Sequence, residues 1–310
     1  MRAGVWKPRT RPGTFEGAGE PALQWLCRAR ERHGVLVGCE VASAAHVRAC
    51  LSYGMDLLWI GARTTANPFM VQEIAEALQH ADVPVLVKNP VNPDVDLWAG
   101  SIERLCVCGV HRVGAVLRGV TPDLTRGKLR NDPAWHLGVQ LRSRHPEIPL
   151  FCDPSHMGGS AGYVQELSQK ALDLGFDGLM IEVHPCPEQA LSDAAQQITP
   201  SRLHALLHGG LILRNQSSPD GKYLRDLAAL RSEIDEIDDK LLELIVRRMD
   251  VSGRIGELKR LNNVTILQSE RWDDVLGRML AEGEDLGLSE ELVRDVFCAI
   301  HAQSVNRQTR

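Results

Sequence analysis

Two sets of side chains in this 310-residue chain could do chemistry. The first is scattered through the N-terminal two thirds, each member directly after a short apolar run. Arg2, Lys7, Arg9 and Thr10 surround the piece Ala3-Gly4-Val5-Trp6. Arg63 follows Leu57–Ile60, Lys88 follows Val83–Val87, and Arg118 follows Val113–Leu117. Cations gathered in one place repel each other unless anions bind between them. Arg meets phosphate and carboxylate with a planar fork, and Lys adds a point charge. Small phosphorylated acids are the natural ligands. His156, Glu182 and Asp193 follow later apolar runs, and one imidazole with two carboxylates suits Mn²⁺ or Fe²⁺. The second set lies near the C-terminus. There Arg248 and Lys259 interrupt an apolar stripe stepping by three and four residues from Leu227 to Leu258. Buried unpaired cations are costly, so something anionic should meet them. Arg231 falls about 100° from Arg248 on the helical wheel and should face a different neighbour.

The elements that carry the first set alternate. The apolar runs Val35–Val37, Leu57–Ile60, Val83–Val87, Val113–Leu117, Pro149–Cys152 and Gly178–Ile181 suit parallel strands buried on both faces. Segments with helical patterning, such as Asn67–His80 and Gly162–Leu174, lie between them. This is an α/β fold. Polar or ionisable groups follow every run, which favours a (β/α)8 TIM-type barrel over a doubly wound sheet, because a barrel gathers all its strand ends on one face. Six runs, with Arg2–Trp6 as the tail of a seventh, give an N-terminally incomplete barrel that lacks its first strand.

The stretch Arg214–Gly221 is rich in Ser, Pro and Gly and reads as a linker. The expected organisation is a barrel over 1–213, a linker over 214–222 and an all-α three-helix domain over 223–310. The first of these helices should run for nearly forty residues, about 55 Å at 1.5 Å per residue. It cannot be stable alone. Two more are expected over Glu270–Glu282 and Ser289–Gln308, with Ser289 as N-cap.

Charge and composition exclude several classes. A formal net charge of -5 offers no basic surface for nucleic acid. No run of about 18 apolar residues and no charged-then-apolar leader occurs, so neither a membrane span nor a signal peptide is expected. The eight cysteines read as free thiols of a cytoplasmic protein. Cys39, Cys152 and Cys186 are read as packing residues, and His46, His111 and His145 as solvated.

The motifs "KPRT" (Lys7 to Thr10), "GART" (Gly61 to Thr64), "KNP" (Lys88 to Pro90), "DPSH" (Asp153 to His156), "IEVH" (Ile181 to His184) and "LSDAAQQ" (Leu191 to Gln197) resemble the 3-deoxy-D-arabino-heptulosonate 7-phosphate (DAHP) synthase family. The resemblance covers roughly residues 1–213. It implies condensation of phosphoenolpyruvate with erythrose 4-phosphate. Arg63, Lys88 and Arg118, with Arg2 and Lys7, would hold phosphoenolpyruvate, and Lys88 would serve catalysis. Lys7, Arg9 and Thr10 would place the sugar phosphate and its aldehyde. A divalent ion on His156, Glu182 and Asp193 would act as Lewis acid, with no organic cofactor. The sibling octulosonate phosphate synthases carry Lys-Ala-Asn-Arg where this chain has Lys7-Pro8-Arg9-Thr10, which favours the four-carbon sugar. The family's fourth metal ligand, a cysteine in Gly-Pro-Cys-Ser, has no counterpart here.

The stretches "LRSEIDEIDDKLLELIVRRM" (Leu230 to Met249), "IGELK" (Ile255 to Lys259), "QSERW" (Gln268 to Trp272) and "SVNRQ" (Ser304 to Gln308) resemble the all-helical chorismate mutases. That implies an entwined homodimer through the helices. Arg231 of one copy and Arg248 of the other would bind the two carboxylates of chorismate. Lys259 and Gln308 would donate to the breaking ether oxygen. Gln268, Arg271 and Ser304 would bind its hydroxyl or carboxylate. Gln268 and Trp272 stand where some members have carboxylates. The expected whole is an aromatic amino-acid (shikimate pathway) enzyme joining both activities. Two alternatives stand beside it: a mutase with an inactive truncated barrel, and a non-enzymatic module using both anion pockets. A neutral donor at Gln308 predicts mutase turnover flat from about pH 6 to 9; a steep acidic optimum in a pH–kcat profile would contradict that role.

Overall fold

The computed structural model describes residues 1–8, 13–122, 128–215 and 217–309. Arg9 and Thr10 lie outside the described residues. The chain divides into two compact units, Met1–Gln216 and Ser217–Arg310.

The first unit is built on six parallel strands: β1 (Gly38–Val41), β2 (Leu57–Ile60), β3 (Val85–Lys88), β4 (Val113–Leu117), β5 (Leu150–Cys152) and β6 (Gly178–Leu179). Their order in space is their order in the chain. Each strand adds to the same side of its predecessor, which is the progression of a barrel; a doubly wound sheet reverses direction at a switch point. Arg2 forms an isolated parallel bridge to Gly38, and Val183 one to Ile198, so both flanks of the sheet are continued by single pairings. The helices are α1 (Pro21–His33), α2 (Ala44–Ser52), α3 (Ala62–Thr65), α4 (Pro68–Ala77), α5 (Val95–Val107), α6 (Trp135–Arg144), α7 (Pro154–Gly158), α8 (Val164–Asp173) and α9 (Pro200–Ala205).

The strands form where apolar residues can be buried from both sides. Leu58, Ile60, Val85, Val87, Ala115 and Leu117 have no exposed surface. Helices close over them with Val71 and Ile74 of α4, Trp98, Ile102 and Leu105 of α5, and Leu137 and Leu141 of α6. Trp98 also donates from its indole to the Val87 carbonyl at 3.0 Å, tying α5 to β3. Several helices start with a side-chain cap. Ser43 caps α2, Asn67 caps α4, Asp94 caps α5 and Asp153 caps α7. Each cap satisfies amide groups that the first turn leaves without partners.

Two boundaries differ from the pattern in the sequence. β1 begins at Gly38 and not at Val35, so Glu40 lies within the strand. Leu36 is exposed, and a Cβ on residue 38 would lie 2.4 Å from the Leu57 carbonyl oxygen, so only glycine lets the pair close there. β6 holds two residues, because pairing to β5 ends at Leu179.

The second unit is three helices: α10 (Gly221–Leu261), α11 (Ser269–Asp285) and α12 (Glu290–Gln308). Asp220 caps α10 and, as expected, Ser289 caps α12. Only Ser252 and Gly256 of α10 are buried. A Cβ on Gly256 would sit 2.7 Å from the Gln308 Cα, so glycine here permits close approach of α10 and α12. Leu230, Ile234, Ile237, Leu241 and Leu244 are exposed along α10. Among the described residues no helix is long and apolar enough to cross a membrane.

The packing predicts a contrast within α5. Ile102→Ala should lower unfolding stability by about 2–5 kcal/mol, since the site cannot collapse between β3 and β4. Val107→Ala, at an exposed position, should change it by under about 0.5 kcal/mol. Urea unfolding of the two variants checks this.

Candidate active sites

The centre of the first unit's strand-end face is Asp153, which has no exposed surface. It sits directly after β5 and accepts three contacts. Lys88 Nζ, at the end of β3, lies 2.7 Å from Oδ2. His156 Nδ1 lies 2.9 Å from the same oxygen, and the His156 backbone amide donates to Oδ1 at 3.1 Å. Burial by itself would raise the Asp153 pKa. The charges on the His156 and Lys88 side chains outweigh it and hold the carboxyl well below its usual range. Burial pushes the His156 imidazole down, against the opposing pull of Asp153.

Around this centre runs an anion-binding arc. Arg118 donates to Asn131 Oδ1 at 3.0 Å, and Asn131 donates to the His156 carbonyl at 2.6 Å. The Arg118 amide donates to Asn89 Oδ1 at 2.7 Å, while the Asn89 amide group reaches the Gly119 carbonyl at 3.0 Å. Burial lowers the Arg118 pKa, and the charges of Arg130 and Arg63 lower it further against Asp153 and Asp193. Arg130 and Arg63 therefore both act on Arg118. Arg63 also donates to the Pro8 carbonyl at 3.4 Å.

A second arc holds the expected metal ligands. Arg2 pairs with Glu182 at 3.0 Å and lies over the Trp59 ring at 5.4 Å. Gln196 donates to the other Glu182 oxygen at 2.7 Å and accepts from Arg130 at 2.7 Å. Arg130 pairs with Asp193 at 3.1 Å and Lys7 with the same carboxylate at 3.3 Å. Lys7 also donates to the Ser192 hydroxyl. Asp193 has a φ of 52°, left-handed and uncommon for a side-chain-bearing residue. The Glu182 amide donates to Ser155 Oγ at 2.9 Å, joining this arc to the turn that carries His156.

His156, Glu182 and Asp193 are thus linked but not convergent. Among the described residues no three His, Cys, Asp or Glu side chains gather as a metal site. The donor types suit a divalent ion, and His156 Nδ1 is buried and off any hydrogen-bonding direction despite its closeness to Asp153. Glu182 and Asp193, however, are turned to Arg2, Lys7 and Arg130. Cys39 stays a packing residue: it contacts the Cys50 thiol at 3.1 Å, and that contact with burial pushes its pKa up. His46 is not solvated as the sequence suggested; it stacks on Trp6 at 4.0 Å.

Sequence reasoning placed Lys88, Arg118, Arg2, Lys7 and Arg63 on this face. It gave no role to Asp153, Asn89, Arg130, Asn131 or Gln196. Asp153 and Asn89 follow strands and carried the same signal as their neighbours. Arg130 and Asn131 arrive on a long connection between β4 and α6, where no strand end announces them.

In the second unit Arg248 donates to Ser304, which is buried on α12 and donates in turn to the Ile300 carbonyl at 2.8 Å. Burial lowers the Arg248 pKa. Gln308 packs on Gly256, and its side-chain oxygen is buried without a hydrogen-bond partner. Lys259 Nζ reaches the Ile266 carbonyl at 2.6 Å. Arg248, Ser304 and Gln308 lie along one seam between α10 and α12. Arg231, Gln268 and Arg271 are exposed.

Comparisons with known proteins agree with both halves. The model of the DAHP synthetase I family matches residues 1–212, and that of chorismate mutase type II matches residues 230–309. Phospho-2-dehydro-3-deoxyheptonate aldolase of Thermotoga maritima is 30% identical over 198 residues, which are 64% of this chain and 56% of that protein. The T-protein of Enterobacter agglomerans is 33% identical over 79 residues, 26% of this chain and 21% of that protein. A crystal structure of the Thermotoga DAHP synthase superposes with a TM-score of 0.58 at 28% identity, over 67% of this chain and 58% of that one. The chain spans little more than half the length of this first relative.

The buried Lys88–Asp153 pair predicts a specific non-additivity. Lys88→Met should cost about 3–5 kcal/mol, because it strips a cation from a buried carboxylate. Adding Asp153→Asn should recover part of the loss. Denaturant unfolding of the single and double variants tests this.

Proposed function

Because the chain belongs to the DAHP synthetase I family, we propose that its first unit condenses phosphoenolpyruvate with erythrose 4-phosphate, and that its helical unit, matched by chorismate mutase type II, rearranges chorismate to prephenate. The domains on this reading are 1–213 and 223–310, joined by 214–222. The observation that carries the synthase reading is the placing of Arg118, held by Asn131, beside the buried Lys88–Asp153 pair at the strand ends. Such a set is stabilised by a bound phosphorylated acid.

In the first unit Arg63, Lys88 and Arg118 hold phosphoenolpyruvate, with Arg2 and Lys7 near them. Lys7, Arg9 and Thr10 receive the sugar phosphate. Asp153 fixes Lys88, so its ammonium is held in place before substrate arrives. His156, Glu182 and Asp193 would hold a divalent ion, Mn²⁺ or Fe²⁺, which when bound supplies Lewis-acid polarisation of the aldehyde. Glu182 and Asp193 would then release Arg2 and Lys7, freeing those cations for the anionic substrates.

In the helical unit the rearrangement needs no nucleophile. Arg248 binds one carboxylate of chorismate, and Arg231 of a second copy the other. Ser304, Gln268 and Arg271 contact the hydroxyl or carboxylate groups, and Lys259 and Gln308 stabilise charge building on the ether oxygen. The exposed stripe Leu230, Ile234, Ile237, Leu241 and Leu244 is covered by that second copy, in a homodimer through these helices. The protein is read as cytoplasmic, without nucleic-acid or membrane partners. A mutase with an inert barrel is less favoured, since the synthase family model matches residues 1–212 as well as the mutase model residues 230–309.

The test assays both reactions in one preparation, with Mn²⁺. Arg118→Ala should lower DAHP formation on the order of 10²-fold or more and leave chorismate turnover intact; Arg248→Ala should do the reverse. A chelator should remove synthase turnover alone. Loss of neither activity in its matching variant would refute the assignment.

A further inference from the structure

The mutase reading leaves one ring pair of the helical unit without a role. Trp272 of α11 and His301 of α12 stack with centroids 3.9 Å apart and planes 19° from parallel. Both are half-buried. His301, Ser304 and Gln308 are three and four residues apart, so they share one face of α12. Across from that face, Arg248 reaches Ser304 and Gly256 packs on Gln308. His301 therefore stands one turn from the contact that pins Arg248, with its ring orientation fixed by Trp272.

The charges around it are few. Burial lowers the His301 pKa, and Arg248 on α10 lowers it further. Both effects favour the neutral imidazole in the free protein. A carboxylate arriving at Arg248 would cancel that cation's repulsion and add an attraction. The face of Trp272 would stabilise a charged imidazole further.

We infer that His301, seated on Trp272, is a positioning residue of the helical unit's anion pocket and takes up a proton from solvent when a dicarboxylate binds beside Arg248. The inference rests on the mutase reading. Binding through His301⁺ is strengthened below the free-state pKa and loses that gain as pH rises through the higher bound-state pKa. Uptake is largest between the two. Its effect falls on KM, because substrate and transition state carry the same two carboxylates.

The experiment is calorimetric titration of the full chain with prephenate near pH 6, in two buffers of different ionisation enthalpy. The wild type should take up a substantial fraction of one proton per site. His301→Phe keeps an aromatic ring against Trp272 and should take up none. His301→Gln, a polar variant without a titrating ring, should behave likewise. The wild-type KM for chorismate should fall roughly three- to ten-fold from pH 8 to below pH 6, with kcat unchanged, and both variants should lose that slope. Prephenate binding with no proton uptake in the wild type, or equal uptake in His301→Phe, would overturn the inference and leave the mutase reading standing. Failure of prephenate to bind at all would overturn both.

Discussion

The first unit depends on a carboxylate that cannot reach water. Asp153 lies between Lys88 and His156 with no exposed surface, so its charge is tolerable only while both neighbours stay in place. Lys88 ends β3 and Asp153 follows β5, with β4 between them. The contact therefore fixes the relative heights of three strands. Asn89 and Arg118 complete the brace at the ends of β3 and β4. What looks like a catalytic cluster is also the clamp that levels the strand ends.

The outer arc follows from that clamp. With the centre occupied by one buried carboxylate, the surrounding cations face each other and two more carboxylates. Arg2, Lys7 and Arg130 are satisfied by Glu182 and Asp193, while Arg118 stays under the opposing influence of Arg130 and Arg63. Substrate anions and a divalent ion would exchange these partners in a coordinated way. On the proposed reading, Glu182 and Asp193 would hold the ion, and Arg2, Lys7 and Arg130 would then be free for the substrate anions.

The helical unit solves a different problem with the same groups. The rearrangement proposed for it would need no proton donor with a tuned pKa, only cations held against the loss of hydration. The α10–α12 seam does this by letting the backbones touch at Gly256, which leaves Arg248, Ser304 and Gln308 in a narrow strip. The unit leaves Leu230, Ile234, Ile237, Leu241 and Leu244 of its long helix exposed, and this is the face that the proposed second copy would cover.

The sequence by itself determined the alternation of strands and helices, the change to a long helix near residue 220, and the identity of most cations in both sites. These are local properties: buried strands need continuous apolar runs, helices need a 3.6-residue period, and a cation after a strand is visible as such. The start of β1 was misread because Val35 and Leu36 are apolar yet lie outside the pairing, and only the close contact of Gly38 with Leu57 decides where the ladder begins. The tertiary structure alone decided which of the strand-end groups became the pivot. Asp153 was visible beside His156, but nothing local says that Lys88, 65 residues earlier in the chain, reaches it. It alone brought Arg130, Asn131 and Gln196 into the site, because they come from connections whose course is set by packing and not by period. It alone paired Trp272 with His301, since a stack between two helices depends on their crossing, which no one-dimensional pattern contains.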